Sequence, residues 1–260
     1  MSGEDEAIPA RRRRPLFAGL GLFLGSGALL ALAAGPLGYR LDIVDRGTAL
    51  GTLPRYAAYA GIGAAAVSLV GIVMSLRARR LGWIVAALLG CLAGSASAYL
   101  PWSYIRSVEG APAINDITTD TENPPAFETL ARVREAAHAV PASYGGPEYA
   151  AKQKQAYPDI QTLRLVLSPA DAFARALEQV RREGWTVVTT DPARGRIEAS
   201  ARTLWYGFTD DVVLRITADG SGSRVDIRSK SRVGTGDRGV NAARIREFLA
   251  ALKAAAEAPG

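Results

Sequence analysis

Three apolar segments within the first hundred residues constrain this chain most strongly. They run from 15 to 34, from about 56 to 76 and from 81 to 100. Each has about twenty residues, which is the length that an α-helix needs to cross the hydrocarbon core of a bilayer. Helix is the expected form, because unpaired backbone groups are very costly in lipid. The sequence therefore predicts a three-helix transmembrane anchor over residues 15–100.

Basic residues beside these segments predict their orientation. Arg11–Arg14 precede the first segment, and three more arginines lie in the turn 77–80, whereas loop 35–54 has equal numbers of arginine and aspartate. Cytoplasmic loops carry an excess of Lys and Arg. We therefore expect residues 1–14 to form a cytoplasmic basic tail. Three crossings then place the C-terminal part of the chain outside the cytoplasm.

The first segment also has the layout of a secretory signal peptide. Arg11–Arg14, an apolar run and Ala31-Leu32-Ala33 correspond to the basic region, the apolar region and the cleavage site of such a peptide. The apolar run is longer than usual, which favours an uncleaved anchor. Loop 35–54 lies outside the cytoplasm on either interpretation, so the topology is the same.

Glycine pairs and the lack of charge indicate what the apolar segments do. Gly21-x-x-x-Gly25 and Gly90-x-x-x-Gly94 would let helices approach closely. They predict packing of the three helices against each other, and homo-oligomer formation through the same faces is the alternative. The segments contain no Asp, Glu, Lys or His, which transporters usually keep in the membrane. An anchor is therefore favoured over a transporter.

Charge is divided unevenly along the chain. Residues 1–100 carry ten Lys or Arg and five Asp or Glu, whereas residues 101–260 carry twenty-one and twenty. The net charge of +6 therefore lies mostly beside the membrane segments. A nucleic-acid-binding domain needs a basic face of its own. We accordingly predict a lipid bilayer as partner and no nucleic acid.

The pattern of residues 101–260 predicts a linker followed by one domain. Residues 101–156 are rich in proline and glycine and predict an extended linker, with one short helix at 124–139. From 157 to 260 the periodicity gives the order β-α-β-β-β-β-α, with a last helix at about 237–256. Successive strands with short turns predict an α+β domain with a soluble antiparallel sheet and helices on one face. The strands are expected at 160–167, 185–190, 196–206, 212–218 and from 225 onward.

Several stretches of this part form a recognisable set. They are Ile114–Asp120, Asn123–Phe127, Tyr157–Ile160, Trp205–Asp211, Ser223–Ser229, Ser231–Gly234 and Gly239–Ala242. Over about residues 112–252 the set resembles the domain-of-unknown-function 1499 family. The resemblance implies a bacterial protein with apolar N-terminal segments, and hence a multi-pass protein of the inner membrane. It implies no activity and supplies no catalytic residues.

The last predicted strand carries alternating basic residues, which share one face of the sheet. Such a face could receive an anionic lipid headgroup or an acidic glycan. A solvated face with Glu198 and Asp226 as ion-pair partners is the alternative. Nearby aromatic residues are either a binding surface or part of the core. The candidate ligand-binding residues are Arg202, Arg215, Arg228, Lys230 and Arg232, with Trp205, Tyr206 and Phe208 beside them.

Carboxylates offer an enzymatic alternative. Asp210, Asp211 and Asp237 could perform acid–base chemistry if one were held in a pocket with a raised pKa. For Asp210 and Asp211 we favour a turn and a salt bridge. The acidic cluster at 116–122 lacks the glycine and the last glutamate of a calcium loop, which favours Asx turns over a metal site.

Motifs for catalysis or cofactor binding are missing from the sequence. With one cysteine, Cys91, and one histidine, His138, catalytic triads and multi-cysteine metal sites are nearly excluded. No nucleophile elbow, Walker or Rossmann motif is present. We therefore predict no catalytic residue, no metal and no cofactor. The leading hypothesis is a non-enzymatic envelope protein whose outward domain binds an anionic lipid, a glycan or an envelope protein.

Overall fold

The computed structural model describes residues 16–257, and the chain divides into two compact units after Ser107. The first unit consists of the helices α1 (Leu16–Arg40), α2 (Leu53–Arg77) and α3 (Leu81–Ser107). A π-helical turn, Thr48–Thr52, precedes α2. All three helices are long and apolar enough to cross a membrane.

The prediction of three apolar helices is confirmed, but α1 and α3 continue beyond the predicted ends at 34 and 100. Pro36 and Pro101 lie inside them without ending them. The reason for the difference is that the apolar pattern marks only the part of a helix suited to lipid. Backbone hydrogen bonding continues past that part, through residues that include Arg40 and Arg106, and hydropathy does not report it.

Small residues bring the three helices together. A Cβ atom added at Gly25 would lie 2.5 Å from the backbone oxygen of Gly90, and one added at Gly94 would lie 2.6 Å from that of Gly61. Helix backbones therefore touch where a side chain would not fit. The predicted packing of the helices against each other is confirmed. Both glycine pairs face neighbouring helices of the same chain, and oligomer formation through these faces stays a prediction.

The second unit is a six-stranded antiparallel sheet with four helices. Its strands are β1 (Asp116–Thr118), β2 (Leu163–Leu165), β3 (Thr186–Asp191), β4 (Arg196–Arg202), β5 (Thr209–Asp219) and β6 (Gly222–Ser231). Its helices are α4 (Thr129–Ala136), α5 (Pro147–Ala156), α6 (Pro169–Arg182) and α7 (Val240–Glu257). The strand order is β1-β6-β5-β4-β3, and β2 also pairs with β6.

The α+β class and the order from β2 to α7 are confirmed. Two elements, β1 and α5, were not predicted, and both lie within residues 101–156. The short helix expected at 124–139 is present as α4, which is shorter than predicted. The strand expected at 196–206 ends at Arg202, and Asp210 and Asp211 lie in β5 where a turn was expected. That turn prediction is wrong, because Ala201 pairs with Asp210 and Ser200 with Asp211, which continues the ladder between β4 and β5.

One face of the sheet holds the apolar core, against which α6 and α7 pack. Ile197, Leu214 and Ile227 lie side by side on neighbouring strands and are fully buried. The indole of Trp185 stacks on Phe248 of α7, with ring centroids 5.2 Å apart. Alternate residues of the same strands face the other side, where α4 lies. That second face holds the charged side chains.

We expect Gly25→Leu to lower the stability of the helical unit by about 1–3 kcal/mol, because the added side chain meets the backbone of α3. Reversible SDS titration of the full chain from detergent micelles measures this loss. Gly27→Leu is the matched control, since a Cβ atom at Gly27 has no neighbour within 4 Å. Equal losses for the two variants would contradict close packing at Gly25.

Candidate functional site

The face of the sheet opposite α6 and α7 is charged and yet buried. Glu198, Val213 and Arg228 are neighbours across β4, β5 and β6, and Arg228 is only 2% exposed. Phe127 and Leu130, at the start of α4, pack on Val213 and cover this face. Charges removed from water in this way are stable only when they are paired and hydrogen-bonded.

Asp116 of β1 neutralises two basic residues of β6. Its carboxylate accepts hydrogen bonds from Nε and Nη2 of Arg228 at 2.8 and 2.7 Å, and from Nζ of Lys230 at 2.9 Å. The Arg228 guanidinium also lies over the rings of Phe127 and Tyr144, at 4.8 and 5.5 Å from their centroids. Burial lowers the pKa of Lys230, and the charge of Asp116 opposes that shift.

Asp211 of β5 forms a second centre. It accepts hydrogen bonds from Nη1 of Arg134 at 2.8 Å, from Nε and Nη2 of Arg232 at 2.9 and 2.8 Å, and from the Ser200 hydroxyl at 2.8 Å. Arg134, on α4, is 1% exposed, and burial lowers its pKa. Its remaining donors reach the backbone oxygens of Val140, Lys230 and Ser231. Arg134 therefore joins α4 to two strands.

Glu198 holds the beginning of α4 against the sheet. Its carboxylate accepts hydrogen bonds from the backbone N–H groups of Glu128 and Leu130, at 2.7 and 2.6 Å. The first N–H groups of a helix have no partner within the helix, and the helix dipole favours a negative charge there. A strand residue thus provides the cap that the helix itself lacks.

Asp226 forms a third centre near the edge of the same face. It accepts hydrogen bonds from Arg215 at 2.8 Å, from Arg224 at 3.2 Å and from the Thr162 hydroxyl at 2.5 Å. The Asp120 carboxylate also accepts hydrogen bonds from the same two arginines, from Nη2 of Arg215 at 2.8 Å and from Nη2 of Arg224 at 3.1 Å. Burial alone would raise the pKa of Asp226, but the hydrogen bonds from these donors outweigh it and lower the pKa below 3.8.

The predicted ligand-binding residues fall into two groups. Arg215, Arg228, Lys230 and Arg232 share one face, as the alternation indicated, and carboxylates of the same unit receive all four charges. Binding of an external anion by these four residues stays a prediction. Arg202 is exposed at the end of β4. It directly precedes the loop 203–208, which contains the three aromatic candidates.

Loop 203–208 is tightly closed and presents two apolar side chains to solvent. The N–H group of Thr203 donates to the Phe208 oxygen, and the Thr203 hydroxyl accepts from the Phe208 N–H group, both at 2.9 Å. The rings of Tyr206 and Phe208 stack, with centroids 5.5 Å apart. Leu204 and Trp205, at the tip, are 77% and 72% exposed.

All three candidate acid–base residues have ion-pair or hydrogen-bond partners within the second unit. Asp210 pairs with Arg244 at 2.7 Å, and Asp211 has the partners described above. Asp237 accepts hydrogen bonds from the N–H groups of Gly239 at 2.9 Å and Asn241 at 2.6 Å, and so caps α7. Burial raises the pKa of Asp237.

The acidic residues at 116–122 have two different structural roles. Asp116 belongs to the buried network, whereas Asp120 accepts hydrogen bonds from the N–H groups of Glu122 and Asn123, which is the expected Asx turn. Within residues 16–257, no group of three or more His, Cys, Asp or Glu side chains is arranged to hold a metal ion.

Sequence reasoning missed Arg134 and the roles of Asp116 and Glu198. The contacts that define these roles join Arg134 to Asp211, Asp116 to Arg228 and Glu198 to Leu130. The two residues of each pair lie 68 or more positions apart along the chain. One signal was present, namely the excess of basic residues on β6, which had to be neutralised if that face was buried. The alternation in β6 did not reveal the burial, because it does not show which segment of the chain covers each face of the sheet.

We expect Asp226→Asn to destabilise the second unit by about 2 kcal/mol at pH 7, because two arginines lose a charged partner. The folded pKa of Asp226 lies below 3.8, so its stabilising effect is complete above that pH and is lost as the pH falls through the folded value. The difference from wild type should therefore shrink below about pH 4. Urea unfolding of the full chain in micelles measures this difference in stability. The fluorescence of Trp185 reports the unfolding, in a background where the other tryptophans are replaced by Phe.

Asp159→Asn is the matched control for this measurement. Asp159 pairs with Arg246 on the surface, where an ion pair contributes about 0–1 kcal/mol. A loss for Asp226→Asn that matches the loss for this control, or that persists unchanged at acid pH, would contradict the assigned role of Asp226.

The comparisons with known proteins agree with the resemblance found in the sequence. The family model described as protein of unknown function (DUF1499) matches residues 116–252, which is more than half of the 260 residues. No curated protein matches the chain. The matched range begins at β1 and ends within α7, so it covers the sheet together with the buried network. The chain therefore belongs to the DUF1499 family of proteins of unknown function.

Proposed function

We propose that this chain is a membrane-anchored, non-enzymatic binding protein of the cell envelope. In this proposal the second unit lies on the periplasmic side of a bacterial inner membrane and binds an envelope component through loop 203–208. The observation that carries the proposal is the exposure of Leu204 and Trp205 together at the tip of a closed loop.

Exposed apolar side chains in such a loop are suited to binding. Burying a side chain of this size contributes about 1.5–3 kcal/mol relative to leaving it in water. The hydrogen bonds between Thr203 and Phe208 already fix the loop, so binding loses little additional chain entropy. Among the described residues of the second unit, Leu204 and Trp205 are the only consecutive large apolar residues that are mostly exposed.

The enzymatic alternative has weaker support. It requires a carboxylate that is free to exchange a proton with a substrate. Asp210 and Asp211 are held in ion pairs, and both oxygens of Asp237 accept backbone hydrogen bonds at the start of α7. The raised pKa of Asp237 is accounted for by its burial as a helix cap.

The distribution of basic residues supports the proposed side of the membrane. Three arginines lie at the turn between α2 and α3, where Ala78 follows the end of α2. An excess of arginine marks a cytoplasmic turn. The single apolar helix α3 then crosses the membrane once more before the second unit begins.

Cysteine labelling in spheroplasts tests the location and the binding together. Trp205→Cys and Val166→Cys are introduced in a Cys91→Ala background and exposed to a membrane-impermeant maleimide, with the rate in SDS as reference. Val166 is 97% exposed and lies beside the β5–β6 turn, at the other end of the sheet. We expect fast labelling of Val166→Cys and strongly slowed labelling of Trp205→Cys, because a bound component covers the loop.

Two outcomes would overturn the proposal. If neither variant is labelled in spheroplasts, the second unit lies inside the cytoplasm. If both are labelled at the same fast rate, loop 203–208 is uncovered in the membrane and is not a binding surface.

A further inference from the structure

We infer that the component bound by loop 203–208 is the surface of a bilayer with anionic lipid headgroups. This inference rests on the proposed function and names the partner of the same loop. Leu204 and Trp205 would lie among the headgroups and the upper acyl chains. The exposed Arg202, which directly precedes the loop, would meet lipid phosphates.

The residue types at the tip are those of a membrane interface. Tryptophan is enriched at headgroup level, because its ring is largely apolar and its indole N–H group still finds a polar partner. Arg202 directly precedes the loop and is exposed. Basic residues near an anionic bilayer add electrostatic attraction. An apolar tip with an exposed arginine beside it is therefore complementary to an anionic lipid surface.

The loop lies at the end of the sheet where β1 begins, and β1 is the first strand after the apolar helices. Asp116, the first residue of β1, pairs with Lys230 near the end of β6, and Arg232 donates its N–H group to the oxygen of Thr209, at the start of β5. The β4–β5 loop therefore projects from the same end of the sheet as the beginning of β1. Val233, 37% exposed, adds an apolar side chain at this end.

The connection between α3 and β1 is short. Eight residues, 108–115, separate Ser107 from Asp116. A chain of that length spans at most about 30 Å even when fully extended. A weak affinity for lipid is sufficient under such a tether, because the effective concentration of the bilayer at the loop is high.

The size of the apolar tip favours lipid over a protein partner. A stable protein–protein interface buries about 800 Å² on each partner, with 20–30 residues on each side. Leu204, Trp205 and Val233 fall far short of such an interface. Binding at a bilayer surface has no such minimum area, because its strength scales with the apolar area that is buried and with the electrostatic attraction to anionic lipids.

Spin labelling of the full chain in nanodiscs tests this inference. A nitroxide is attached at Leu204→Cys, or at Val166→Cys as control, in the Cys91→Ala background. The nanodiscs contain phosphatidylethanolamine and phosphatidylglycerol. We expect the label at position 204 to collide more with oxygen than with a water-soluble nickel chelate, as a label within the bilayer does, and the label at position 166 to show the reverse. Arg202→Glu should make the label at position 204 more accessible to the nickel chelate. Replacing the lipids by phosphatidylcholine alone should have the same effect when Arg202 is kept.

The outcomes separate this inference from the proposed function. Nickel accessibility at position 204 equal to that at position 166 overturns the lipid assignment. If Trp205→Cys is still protected in spheroplasts, the proposed function stands and its partner is a protein or a glycan. If that protection is also missing, both proposals fail. Oxygen preference at position 204 that is unchanged by Arg202→Glu and by neutral lipid overturns the anionic part of the inference.

Discussion

Neutralisation of a buried, charged sheet face is the constraint on which the second unit depends. Asp116 and Asp211 each receive two basic side chains, and Arg134 brings a helix into the same network. Desolvation of an unpaired charge costs several kcal/mol, so each of these groups is stable only while its partners are present. The segment from Phe127 to the end of α4, the sheet and the network must therefore form together.

This constraint explains why residues between the apolar helices and the sheet are part of the fold. β1 has only three residues, and it supplies the carboxylate that Arg228 and Lys230 require. α4 is short, with its first turn held by Glu198 and its last by Arg134. The basic residues of β6 thus stabilise the protein from inside. The exposed loop 203–208, at the end of the sheet, is left as the surface for an external partner.

The sequence indicated those features that depend on local patterns. Hydropathy located the three apolar helices, and periodicity placed a helix between the strands expected at 160–167 and 185–190, where α6 lies. Alternation placed Arg228, Lys230 and Arg232 on one face. Each of these signals lies within a few residues of the structure that it specifies.

Features that depend on distant partners could not be predicted in the same way. β1 exists because β6 offers it hydrogen bonds, more than a hundred residues later. The burial of Arg228 follows from Phe127 and Tyr144, which the alternation in β6 does not reveal. The exposure of Trp205 follows from the end of β4 at Arg202, because a continued strand would have turned that ring towards the core.

A double-mutant cycle between Arg134 and Asp211 tests the central claim most directly. Urea unfolding of the full chain in micelles is measured for Arg134→Met, for Asp211→Asn and for the two together. We expect each single change to cost about 3 kcal/mol or more, because it leaves a buried charge without its partner. The double change should cost at least about 1 kcal/mol less than the sum of the two. Additive losses, within about 0.5 kcal/mol, would contradict a fold held by this buried pairing.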